Sequence, residues 1–109
     1  MRIHTLLGLL MVLAVNPAIA EKVDDRAAQR LLKVSKCTNC HSVTKEKDGP
    51  PYKQVAEKYK DEPDAVAKLY EHITTAPTVE VKGKEETHEQ VKSDDPEEIK
   101  NLVHWILSR

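Results

Sequence analysis

The chain has 109 residues, enough for one domain and no more. Charged side chains make up 32% of it and nearly cancel, leaving a formal net charge of −1, without the basic excess that nucleic-acid binding needs. Two cysteines are too few for a thiolate-bound iron–sulfur cluster, and with no phenylalanine and one tryptophan a core built from side chains alone is marginal.

Residues 1–20 read as a secretory leader. Arg2 supplies the positive end, Leu6 to Val15 the apolar run, and Ala18-Ile19-Ala20 a small-residue cleavage site before Glu21. The run is too short to span a bilayer comfortably, so a retained anchor is the weaker reading and no membrane span is expected in the mature chain. Residues 21–109 then form a single domain, exported across the cytoplasmic membrane into the periplasm.

In the mature chain, Ala27, Ala28, Leu31, Leu32 and Val34 recur with a helical period and lead into Cys37-Thr38-Asn39-Cys40-His41. This C-x-x-C-H run is the pattern of covalent haem attachment. Two thiols three positions apart on a helical turn reach the two vinyl groups on one porphyrin edge, and the next residue offers an imidazole to the iron. A dithiol redox couple needs a βαβ context, and the flanks here are helical and charged. A zinc site needs two further ligands, and the chain has no second cysteine pair. One haem c per chain is therefore expected on Cys37 and Cys40. It would supply much of the missing apolar core, with an unfolded apoprotein as the corollary.

Lys45 to Pro51 is a charged loop ending in a rigid Gly49-Pro50-Pro51 turn. Tyr52, Val55, Ala56 and Tyr59 share one face of a short helix, and Val66, Leu69, Tyr70 and Ile73 repeat that spacing with Pro63 near the start. The last helix has Asp95 as N-cap, Pro96 at its first position and Glu98 in a capping-box position, ahead of a stripe of Ile99, Leu102, Val103, Ile106 and Leu107. Thr74 to Asp94 is charged and aperiodic and reads as a loop. No segment reads as a convincing strand.

With these segments in order, the chain resembles the small bacterial class I cytochromes c. CTNCHSVTKEKDGPPYKQVAEKY, from Cys37 to Tyr59, has their spacing from C-x-x-C-H to Gly-Pro, an aromatic and V-A-x-K-Y, and LVHWILS closes the chain as theirs does. The resemblance implies an all-α class I cytochrome c fold, with four or so short helices around one covalently bound haem. It implies thioether bonds to Cys37 and Cys40, and His41 as the proximal ligand. The Pro50 carbonyl is then expected to orient the His41 ring, and Gly49 to let the chain approach the haem edge closely.

The family usually supplies methionine as the sixth ligand, from a Met-Pro segment before the last helix. Here the only methionines are Met1 and Met11, and the tryptophan-glycine segment that often precedes that methionine is missing too. An ungapped alignment through Glu98 and Ile99 puts His88 at the methionine's position, so His88 is the expected distal ligand. An open site, a lysine or another histidine are the alternatives. His72 and His104 lie beside the apolar faces of their helices and read as solvated surface residues.

Two imidazole ligands imply a carrier of single electrons between redox proteins, of low potential and not an enzyme. Lys36, Thr38 and Lys45 could frame a docking patch near the thioether edge. A gas-binding or sensing haem with an open distal side is the alternative, as is a small haem subunit associated with another cytochrome in a multihaem enzyme.

Overall fold

Four helices and one small hairpin are present in the computed structural model, which describes residues 22–109. The expected leader, residues 1–20, lies outside the described residues. Asp24 opens α1 (Asp25–Val34) by accepting from the Ala27 amide at 3.0 Å, and Asp25 in the first turn and Lys33 in the last suit the helix dipole. Ala28, Leu31 and Leu32 turn inward, whereas Val34, assigned from its spacing to the same face, is 52% exposed. As the last residue of the helix, it falls off the buried stripe.

The last helix, α4 (Pro96–Leu107), begins as its sequence predicts, with Asp95 accepting from the Glu97 amide at 3.0 Å and Pro96 in the first turn. The capping box is replaced by a relay through Ser93. The Asp95 amide donates to the Ser93 hydroxyl at 3.1 Å, and that hydroxyl donates to Glu98 at 2.7 Å.

The start of α1 is tied to the middle and last turn of α4. Asn101 accepts from the Asp24 amide at 2.8 Å and donates to the Asp24 carbonyl at 2.9 Å. Trp105, buried on α4, donates its indole N–H to Asp25 at 2.6 Å. Helices α2 (Tyr52–Tyr59) and α3 (Ala65–Thr74) pack on other parts of α4, so this one helix carries the core, with Leu102 and Val103 fully buried against Leu31. No described helix is long and apolar enough to cross a membrane.

The segment from Thr74 to Asp94 departs from the sequence expectation. It contains an antiparallel hairpin, β1 (Thr78–Val81) against β2 (Lys84–Thr87), with Val79 opposite Glu86 and Val81 opposite Lys84. Lys82 and Gly83 at its tip both have positive φ, 51° and 77°, as a two-residue hairpin turn with the right twist requires. Only β1 alternates in burial, with Val79 and Val81 turned inward; β2 is exposed throughout. Two half-buried valines give too little period-2 signal to mark a strand pair in a charged stretch.

Candidate haem site

A cavity of about 370 Å³ opens between α2, α3, α4 and the hairpin. Leu32, Val55, Leu69, Ile73, Val91 and Leu102 give it apolar walls. Cys37, Cys40, His41, Gly49, Pro50 and His88, all the residues singled out from sequence, line it together.

The proximal side is built locally. α1 ends at Ser35, and Lys36 takes a left-handed conformation, φ 60°, that turns the chain into a short 3-10 segment, Cys37–Asn39. The amides of Cys40 and His41 both donate to the Cys37 carbonyl, at 3.2 and 2.9 Å, so a single turn carries both sulfurs and the imidazole to the cavity. The two cysteines are not bonded to each other. Burial pushes the Cys37 thiol up from its ordinary value.

His41 is held on several sides. Its Nδ1–H donates to the Pro50 carbonyl at 2.7 Å, and its ring stacks on Tyr52 with centroids 5.1 Å apart. The Gly49 amide donates to the Cys40 carbonyl at 2.8 Å, which draws the backbone of Gly49 against the ring. A Cβ on Gly49 would stand 2.5 Å from His41 Cε1. Glycine is needed here by the imidazole itself, a closer reason than the haem-edge approach expected from sequence. Burial lowers the His41 pKa, outweighing the Pro50 carbonyl, with His88 and Lys47 lowering it further, so the ring is neutral at neutral pH.

His88 comes from the strand end after β2. Its amide donates to the Pro77 carbonyl at 2.8 Å, and its Nδ1 lies 2.8 Å from the Glu89 carbonyl. A carbonyl can only accept, so Nδ1 carries the proton in both histidines and each Nε2 keeps a free lone pair. The two ring centroids are 6.1 Å apart, tilted by 50°.

His72 corrects its sequence reading. It is half-buried on α3, lines the same cavity and lies 4.5 Å from the His88 ring, centroid to centroid. The sequence carried a signal: three positions after buried Leu69 and next to buried Ile73, it borders the apolar stripe. His104 is exposed, as expected.

A cavity lined by two free thiols and the rings of His41, His72 and His88 suits a group anchored through sulfur and bound by imidazole. The comparisons with known proteins give the same class. The cytochrome c family model matches residues 26–109. The chain is 36% identical over 81 residues to cytochrome c-551 of Pseudomonas denitrificans, covering 73% of this chain and 94% of that one. It is 31% identical over 102 residues to cytochrome c-551 of Pseudomonas aeruginosa, covering 94% and 95%. Among solved structures, the class 1 cytochrome MtoD from Sideroxydans lithotrophicus ES-1 matches with a TM-score of 0.77 at 50% identity, over 80% of this chain and 97% of that one. Wild-type cytochrome c552 of Nitrosomonas europaea matches with a TM-score of 0.58 at 28% identity, over 73% and 96%.

The chain belongs to the cytochrome c family, as a small class I monohaem member with the class I fold and one covalently bound haem c. Its residues fit that group. Cys37 and Cys40 would carry its thioether bonds, and the His41 and His88 rings, with centroids 6.1 Å apart in the same cavity, would hold its iron.

Proposed function

We propose that this chain is a periplasmic carrier of single electrons whose haem is bonded to Cys37 and Cys40 and ligated by His41 and His88. The observation that carries the reading is the matched pair of imidazoles in one cavity, each with Nδ1–H on a backbone carbonyl and Nε2 free. Cys37 and Cys40 are the chain's only cysteines, which leaves no other anchor for a covalent haem. The haem supplies an iron that takes up and gives back one electron.

The protein's part is to hold that iron with as little rearrangement as possible. Pro50 and Glu89 fix the tautomer and direction of His41 and His88, and the Gly49 and Tyr52 contacts stop the His41 ring from turning. Burial in the cavity favours the neutral form of the His41 ring. Imidazole is a stronger donor to ferric iron than thioether, so replacing methionine with His88 favours the oxidised state and gives a low potential for the class. With His41 and His88 both holding the iron, no position would be open for a substrate, which suits a carrier rather than an enzyme.

Redox proteins are the partners this reading implies. Lys36, Thr38 and Lys45 are exposed beside the cysteine edge, and Val34 and Val43 are exposed apolar side chains near them in sequence. The periplasmic assignment rests on the leader-like residues 1–20 and on the export that haem attachment requires in bacteria. The test is a potentiometric titration of the holoprotein beside a methionine-ligated class I cytochrome c, with CO added to the reduced form. A lower midpoint and no rapid CO complex are expected. A midpoint as high as the methionine protein's, or immediate CO binding, overturns the reading.

A further inference from the structure

We propose that His72 is a second distal imidazole, stationed beside His88 and able to replace it at the iron. The inference rests on the reading of His88 as distal ligand and extends it: the distal side carries two histidines, one bound and one in reserve. His72 lines the haem cavity and its ring stands 4.5 Å from that of His88. Among the described residues, no hydrogen bond engages the His72 ring, so neither nitrogen is committed elsewhere. His72 lies in the last turn of α3 and is only half-buried. Moving between staggered χ1 wells displaces an imidazole by a distance comparable to the gap between the two rings.

The remaining donors are less well placed. His104 is exposed on the outer side of α4. Lys36 and Lys58 reach the cavity lining, but they bring charged ammonium groups that must lose a proton before they ligate. A neutral imidazole needs no such step.

The experiment compares ferric EPR spectra and CO binding of the reduced form for wild-type, His88→Ala, His72→Ala and His72→Ala/His88→Ala holoproteins. His88→Gln, which keeps a long polar side chain in the loop, covers a folding failure of the alanine variant. Expected is a low-spin spectrum of bis-imidazole type in both single variants, and a high-spin, CO-binding haem in the double variant alone. A high-spin His88→Ala or His88→Gln protein overturns the reserve role and leaves His88 as the ligand. A high-spin His72→Ala protein beside an unchanged His88→Ala protein overturns the underlying reading of His88 instead. A double variant that stays low-spin removes both and points to a lysine.

Discussion

The two sides of the haem cavity are built by different rules. On the proximal side every important contact is short in sequence: Cys37 to His41 within one turn, Gly49 to Cys40, and His41 to Pro50 nine residues on. On the distal side the segment that carries His88 is also tied to remote parts of the chain. The Val91 amide donates to the Ile73 carbonyl at 2.8 Å, and the Lys92 amide to the Ser35 hydroxyl at 2.9 Å, 57 residues away. A local arrangement tolerates little change in its own residues, whereas a remote one can vary its ligand while the scaffold stays. Methionine's absence and histidine's presence fall on the side where such variation is cheap.

The largest expected effect breaks the proximal side outright. His41→Ala should abolish most haem incorporation, read as haem per polypeptide, while replacements of His88 or His72 keep the covalent haem. Equal loss on both sides would erase the contrast. Next, Gly49→Ala puts a methyl group into the His41 ring and should cost about 1–3 kcal/mol of holoprotein stability in guanidinium unfolding, since the ring is pinned by Pro50 and Tyr52.

Ser35→Ala tests the remote tether. Ser35 is fully buried and its hydroxyl accepts the Lys92 amide, so its loss should cost about 1–2 kcal/mol and speed hydrogen exchange at Val91 and Lys92. Unchanged exchange there would mean that the tether does not hold the distal segment. The smallest effect is expected for Gly83→Ala at the hairpin tip. Its φ of 77° strains alanine by about 1 kcal/mol, but no atom lies within 4 Å of the added methyl. Chemical shifts of His41 should stay put while those of β1 and β2 move.

The same contrast explains what the sequence made readable. The C-x-x-C-H run, the Gly49-Pro50 turn and the Asp95-Pro96 start of α4 are local codes, and each stands where its spacing predicts. The hairpin escaped because β2 exposes every side chain and β1 offers only Val79 and Val81 as a period. His72 escaped because a residue at the border of a helical stripe is assigned by what packs over it, and here that is the loop carrying His88. The Glu98 capping box failed for a similar reason: Ser93, two residues before the cap, takes up both the Asp95 amide and the Glu98 carboxylate that would have met. His88 itself was found by position relative to a family pattern, without any local signal in Glu86-Thr87-His88-Glu89.

The central claim is that the imidazoles of His41 and His88 hold the iron of this cytochrome c. It is tested most directly by the low-temperature EPR spectrum of the ferric wild-type holoprotein. A low-spin signal of bis-imidazole type is the predicted result. A high-spin signal would contradict the account, leaving the distal side open and His88 a loop residue beside the haem.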